Sequence, residues 1–315
     1  MQGVIFPERG AALLQEEPEP VCAPDTVLLQ TLYSGLTNGT ERNVLLGGNY
    51  GGGRFPNRCG YQCVSRVIEC GAQIARFCLG DVVYTGTFPG HVARHTARES
   101  DLIVKLPPGL EPREAALLGV AAVPMHDLRR AATAVEDNVL VMGAGLIGQC
   151  AAQEARLLGA RVTIADRDER RLALASSLGA EETVNTADAE GRARLEALAP
   201  FSVVVEATGA DVLGAIIGDG WGGGLIGHRA RVLIIAGRDQ VSYNFNAAQG
   251  HEVAVLHAGH FEQSDLEQVV RHAAAGRLRI GPLLQDVVPL AEAPRIYEIL
   301  RDRPNDLLGT VFVWP

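Results

Sequence analysis

Lysine is nearly missing from the chain. Lys105 stands alone among 28 basic residues, and every other one is arginine. A Schiff-base mechanism would have to use that one residue, whose setting, Ile103-Val104-Lys105-Leu106-Pro107-Pro108, reads as the end of a strand. Aromatic residues make up only 5% of the chain, and no apolar run is long enough to span a bilayer. The stretch from Met1 to Pro20 lacks a basic start followed by a long apolar segment. No secretory signal is expected, and the cytoplasm is the expected compartment. Cysteines number six. Cys59, Cys63, Cys70 and Cys78 lie close together, but without the two-residue gaps of a zinc ribbon, and they read as reduced, half-buried strand residues. An excess of positive charge is also absent, since the formal net charge is −9. That argues against a nucleic-acid backbone or an anionic membrane surface as the main partner and leaves a small molecule.

With 315 residues, 47% of them hydrophobic, the chain has material for two domains with sizeable cores. Its first part reads as β. Residues 26–34, 63–69, 81–85 and 101–106 are strand-like and are separated by Gly and Pro clusters. One cluster, Gly47-Gly48-Asn49-Tyr50-Gly51-Gly52-Gly53, lacks the Gly-Lys-Ser/Thr of a phosphate loop and reads as a surface loop. The pattern changes near residue 110. Helices are expected over 112–130, 146–158, 168–178 and 264–275, with strands at 138–142, 161–166, 182–185, 202–206, 231–236 and 253–256. Strands alternating with helices of this length mean βαβ units, a parallel sheet and right-handed crossovers.

The strongest motif is Val139-Leu140-Val141-Met142-Gly143-Ala144-Gly145-Leu146-Ile147-Gly148, a strand running into G-x-G-x-x-G and a helix. The next strand ends in Asp166, which completes the dinucleotide-binding context. Gly143 permits the tight turn, Gly145 lets backbone approach a pyrophosphate, and Gly148 lets the helix pack closely. The amides around Leu146 and Ile147 offer donors at the positive end of a helix. A carboxylate at Asp166 suits the ribose hydroxyls of NAD and repels a 2′-phosphate. Arg167, its neighbour, is the residue that would serve NADP instead.

At this point the chain resembles the medium-chain dehydrogenase/reductase superfamily over nearly its whole length. The landmarks are Gly60 and the apolar run after it, Gly80-Asp81-Val82-Val83, Lys105-Leu106-Pro107, Gly143–Gly148 and Val205-Glu206-Ala207-Thr208-Gly209. The resemblance implies an α/β fold with a GroES-like, β-rich catalytic domain at 1–120 and 263–315 and a Rossmann doubly wound parallel sheet at 121–262. It also implies an inter-domain cleft for nicotinamide and substrate, a cofactor contact at Thr208, and a homodimer made through the last Rossmann strand.

The departures from the family are informative. Zinc-dependent members carry Cys in a Gly-Ile-Cys-x-Thr-Asp segment. This chain has Ser34-Gly35-Leu36-Thr37-Asn38-Gly39-Thr40-Glu41-Arg42, with Thr37 or Asn38 near the Cys place. Where they carry Gly-His-Glu it has Gly60-Tyr61-Gln62, and their third ligand falls near Val120 or Ala121. A catalytic zinc takes about three good ligands, so a zinc-free enzyme is expected. The run from Asn38 to Arg42 looks most like a zinc-less branch that includes the bacteriochlorophyllide hydroxyethyl dehydrogenases.

The resemblance thus implies an NAD-dependent oxidoreductase of secondary alcohols such as sugars, cyclitols or secondary metabolites. Tyr61 is the candidate to donate to the carbonyl oxygen or, with a positive charge beside it, to take the alcohol proton, Thr40 a proton relay, Glu41 a base or the orienter of Tyr61, and His126 a base or relay. Thr37, Asn38 and Gln62 are candidate substrate contacts. His91 and His95 read as a loop–strand edge with a lesser claim on substrate. An NADPH-dependent quinone or enoyl reductase and a non-catalytic nucleotide-binding protein are the alternatives.

Overall fold

The computed structural model describes residues 1–257 and 259–315. The chain divides into two compact units, one of residues 1–119, 262–276 and 280–315, the other of 120–261 and 277–279. In chain order the first unit begins with β1 (Gln2–Ile5), β2 (Leu13–Glu16), β3 (Thr26–Gly35), α1 (Asn38–Leu45), β4 (Cys63–Cys70), β5 (Val82–Thr85), β6 (Arg94–Arg98), β7 (Ile103–Lys105) and α2 (Pro112–Ala115). Helix α3 (Leu118–Arg130) follows. Then come β8 (Asn138–Met142), α4 (Leu146–Leu157), β9 (Arg161–Asp166), α5 (Glu169–Ser177), β10 (Glu182–Asn185), α6 (Ala189–Ala197), β11 (Phe201–Glu206), α7 (Leu213–Ile217), β12 (Ile226–Ile234), α8 (Phe245–His251) and β13 (Ala254–Leu256). The chain returns to the first unit with α9 (Gln263–Ala274), β14 (Leu284–Pro289), α10 (Ala293–Asp302) and β15 (Gly309–Val313).

The second unit is a parallel six-stranded sheet in the order β10-β9-β8-β11-β12-β13. Its central strands Val139-Leu140-Val141 and Val203-Val204-Val205 are fully buried because helices cover both faces. Strand order reverses between β8 and β11, and ligands of such sheets sit beyond the carboxyl ends of the strands at that point. The last long strand differs from its expected bounds: it spans Ile226–Ile234 rather than 231–236. Phe201 pairs with Ile226, the register then shifts, and Arg229 takes φ +57°. A bulge beside polar residues hides such a strand from a periodicity argument.

The first unit holds a seven-stranded sheet ordered β14-β15-β3-β4-β5-β7, with β6 pairing β3. Strand β6 was not expected, although Arg-His-Thr-Ala-Arg alternates, with His95 and Ala97 inward. One core cluster joins Val27, Leu29, Val67, Val83, Ala97 and Ile103. A second gathers Leu36, Val44 and Leu45 around Ile296, Tyr297, Phe312 and Trp314. Residues 47–53 hold a short 3-10 turn, and the six cysteines are all free. Lys105 ends its strand paired to Asp81 at 2.6 Å. Among the described residues no helix is long and apolar enough to cross a membrane.

Candidate active site

The nucleotide-binding candidates gather at the carboxyl end of β8. Gly143 adopts φ +98°, a left-handed turn that a side chain would strain. Gly148 is needed for closeness: a Cβ there would lie 1.8 Å from the Gly143 carbonyl oxygen. The tight contact of Gly148 is therefore with the turn itself first and with the sheet, at Val141, second. Gly145 is the N-cap of α4. It offers no capping side chain, and a Cβ on it would meet nothing within 4 Å. The first amides of α4, including those of Leu146 and Ile147, have no carbonyl of their own helix to bond and stand at its positive end, a donor set that suits a pyrophosphate.

Asp166 is not simply turned outward. Its Oδ2 accepts the Ala144 amide at 2.6 Å, and its Oδ1 accepts the amides of Arg167 and Asp168 at 2.6 and 3.0 Å. A carboxylate has about four lone-pair sites. The carboxylate braces the glycine turn and keeps capacity for a further donor such as a ribose hydroxyl. Arg167 beside it is exposed. Asp168 caps α5, and its bond to Arg170 holds its carboxyl at about 2.

Thr208 lies against the turn: a Cβ on Gly143 would come 3.1 Å from its Cγ2. It is held by Glu206, fully buried at the end of β11, which accepts the Thr208 amide at 2.8 Å, the Thr208 hydroxyl and the Gly209 amide at 3.2 Å. Arg238 closes on the other Glu206 oxygen and donates to the carbonyls of Ala236 and Ala210 at 3.1 and 2.9 Å. Sequence reasoning assigned no role to this ion pair, because the partner comes from the loop after β12. His126 lies half-buried in α3, two residues after Pro124.

The second group lies in the first unit, where β3 runs into α1. Thr37 is the N-cap residue of α1. Its Oγ1 accepts from Gln62 Nε2 at 3.0 Å and shares a hydrogen bond with Tyr61. Thr37, one of the two residues near the family's Cys place, is thus bonded to Tyr61 and Gln62, which stand where the family carries His and Glu: a hydroxyl, a phenol and a carboxamide. Tyr61 is 4% exposed and its ring packs against exposed Phe88 at 5.5 Å between centroids. Burial, and then the charge of Glu41, push its phenol well above the usual tyrosine range. A divalent zinc takes thiolate, imidazole or carboxylate, and this neutral, mutually satisfied donor set does not fit it. Asn38 opens α1 and donates to the Leu307 carbonyl at 3.1 Å, while Thr40 lies half-buried in the first turn.

Glu41 is placed otherwise than expected. Its carboxylate, fully buried, accepts the Thr37 amide at 2.8 Å, His91 Nε2 at 3.0 Å and the Tyr297 hydroxyl. Its link to Tyr61 runs through Thr37. Tyr297 is likewise pushed upward by burial and by the adjacent Glu41. His91 and His95, read from sequence as an edge, are both interior, at 0% and 5% exposure. His91 Nδ1 faces Ser34 Oγ at 2.8 Å, and the same oxygen accepts Trp314 Nε1 at 2.9 Å. His95 reaches Thr85 at 3.1 Å, and burial lowers its imidazole to about 4.

Residues 147–274 match the family described as Zinc-binding dehydrogenase. Sorbitol dehydrogenase from Arabidopsis thaliana is 32% identical over 158 residues, 41% of this chain and 43% of that protein. The 2-dehydro-3-deoxy-L-galactonate 5-dehydrogenase of Pseudoalteromonas atlantica is 26% identical, over 66% of this chain and 60% of its own length. The chain therefore spans less than two thirds of these relatives. The crystal structure of alcohol dehydrogenase TADH from Thermus sp. ATN1 superposes with a TM-score of 0.86 at 22% identity, covering 100% of both chains. Sequence likeness to the Zinc-binding dehydrogenase family thus covers residues 147–274, and the chain shares the fold of a solved alcohol dehydrogenase over its whole length.

Proposed function

We propose that this chain is an NAD(H)-dependent oxidoreductase that interconverts a secondary alcohol of sugar or polyol type with its ketone and does so without zinc. The observation that carries the reading is the hydrogen-bonded Thr37–Tyr61–Gln62 set, with Thr37 near the family's Cys place and Tyr61-Gln62 where the family carries His-Glu. The named relatives, a sorbitol and a deoxygalactonate dehydrogenase, support the substrate class, and they favour a polyhydroxylated substrate over a tetrapyrrole. The open Gly145 turn and Asp166 support NAD. Strand β13, at the edge of its sheet, supports pairing of two copies, and six free cysteines suit a reducing cytoplasm.

When bound, the nicotinamide supplies or accepts the hydride at the carbinol carbon. The protein's part is to hold the substrate oxygen and manage its proton. Tyr61 keeps its own proton at neutral pH, because burial and Glu41 oppose its ionisation. It therefore serves as hydrogen-bond donor to the carbonyl oxygen rather than as a resting base. In the reducing direction the substrate oxygen takes the Tyr61 proton as its carbon takes the hydride. An alkoxide is more basic than even a buried phenolate, so the transfer runs downhill. Thr37, bonded to Tyr61 and Gln62, is placed to return a proton to the phenol. Asn38, Thr40 and Gln62 are proposed for the substrate's remaining hydroxyls, and His126 for proton exchange with solvent.

The test is a titration of metal-stripped protein with NADH and NADPH by nicotinamide fluorescence, followed by turnover of a sugar-alcohol panel in the presence of chelator. Tight NADH binding and undiminished turnover are expected. Activity returning only with added zinc would overturn the zinc-free mechanism. A preference for NADPH would shift the assignment to exposed Arg167 and to quinones or enones.

A further inference from the structure

We propose that His91 is a positioning residue that holds the two segments carrying Thr37 and Tyr61 in register, through a sealed chain of hydrogen bonds running to the C-terminal strand. The proposal rests on the reading of Tyr61 as the donor to substrate oxygen, and it assigns to His91 no contact with substrate.

Three observations carry it. First, the hydrogen bonds form an unbroken chain with a complete assignment. An indole N–H can only donate, so Ser34 Oγ accepts from Trp314 and has its own proton to give to His91 Nδ1. His91 Nε2 then carries the ring proton and donates it to Glu41 Oε2, while Glu41 Oε1 holds the Thr37 amide. Second, the imidazole lies directly on Gly60, the residue before Tyr61. A Cβ on Gly60 would come within 2.8 Å of His91 Cδ2, and Gly60 itself takes φ +124°. Third, the backbone ties the His91 segment to the approach to Tyr61: Gly90 N donates to Gly60 O at 3.0 Å, and His91 N donates to Cys59 O at 3.2 Å. One ring thus touches the approach to Tyr61 on its face and the support of Thr37 at its edge. Phe312, packed edge-on at 5.2 Å, and the Tyr297 hydroxyl on Glu41 keep both from moving. Ser34, Glu41 and His91 are all fully buried. The Ser–His–Glu order therefore offers no nucleophile to a substrate, and its consequence is geometric.

The experiment compares His91→Leu, which cannot donate, with His91→Gln, which keeps an N–H, using the full-length protein. Amide hydrogen exchange is the first readout. Peptides covering residues 35–42 and 59–63 should exchange at least tenfold faster in His91→Leu and recover most of the way in His91→Gln. Peptides of the glycine turn and NADH affinity should stay unchanged. Unaltered exchange at 35–42 would overturn the proposal whatever the protein's activity. Turnover of sugar alcohols with NAD is the second readout. His91→Leu should lower kcat tenfold or more with KM changed less than threefold, and should add less than twofold to a Tyr61→Phe variant. Full multiplication of the two effects would show that His91 does not act through Tyr61. If Tyr61→Phe alone leaves kcat intact, the catalytic reading fails while the exchange result still decides the role of His91. Should His91→Leu not fold, Ser34→Ala removes the partner of Nδ1 and the acceptor of Trp314 Nε1 while leaving the His91–Glu41 bond in place. It should shift the same peptides in the same direction by a smaller factor, and no shift would overturn the proposal.

Discussion

Gly145 and Gly148 stand three residues apart in one turn, and the structure gives them opposite jobs that two alanine variants separate. A methyl on Gly148 would sit 1.8 Å from the Gly143 carbonyl oxygen and 2.9 Å from its carbon. To reach ordinary contact, the turn and α4 must part by roughly 1.5 Å, and overpacking of this kind costs about 1–3 kcal/mol. The obstructing atom is backbone rather than the flexible end of a side chain, so the upper end applies. For a unit of this size a loss of about 3 kcal/mol lowers Tm by roughly 6–12 °C. Gly145 differs. With nothing within 4 Å and φ of −69°, its methyl is accommodated in the free protein. The poorer N-cap costs about 0.5 kcal/mol. The same methyl occupies the space through which a pyrophosphate must approach the α4 amides. At about 100-fold excess over Kd, NADH should stabilise the wild-type protein by about 2.7 kcal/mol, and a tenfold weaker complex would halve that. Scanning fluorimetry of the wild type, Gly145→Ala and Gly148→Ala, with and without NADH, reads both effects. Gly148→Ala should melt early without ligand. Gly145→Ala should melt near the wild type and lose at least half of the NADH shift. A Gly145→Ala protein with the full NADH shift, or a Gly148→Ala protein melting within about 2 °C of the wild type, would refute the assignment.

Two further outcomes follow from buried charge. Burial lowers His95 to about 4 from an ordinary 6.5, so between those values the unfolded chain binds more protons than the folded one. Stability should therefore fall as pH drops through that window, by about 2 kcal/mol from pH 7 to pH 5. Urea midpoints at both pH values should show this slope in the wild type and a shallower one in His95→Leu, and equal slopes would remove His95 as its source. Arg238→Met leaves Glu206 buried without its guanidinium and should cost about 3–5 kcal/mol in urea unfolding. Adding Glu206→Gln should restore part of that loss, and a cost that grows instead would mean the pair is not coupled.

The sites differ in how far they could be read from sequence, and the reason is sequence distance. The glycine turn and Asp166 lie within one βαβ unit. There, local periodicity and turn geometry determine the backbone and hence where the amides point. The neutral residues Thr37, Tyr61 and Gln62 were legible as departures from a resemblance, but not as bonded to one another. Glu41 was read as a base or the orienter of Tyr61, and His91 as a loop–strand edge residue. Packing decided otherwise, with Tyr297 lying 256 residues from Glu41 and Trp314 lying 280 residues from Ser34.

Strand β12 makes the same point for the backbone, since its first residues are strand only because β11 lies beside them, Phe201 N donating to the Leu225 carbonyl just ahead of Ile226. The amino-acid sequence by itself determined the α/β alternation, the glycine turn and the residue types at Thr37, Tyr61 and Gln62. Each is written in contiguous residues whose preferences need no distant neighbour. Only the tertiary structure decided which buried carboxylate meets which imidazole, phenol or guanidinium. A buried charge takes whatever donors the packed elements bring to it, and no local rule names them.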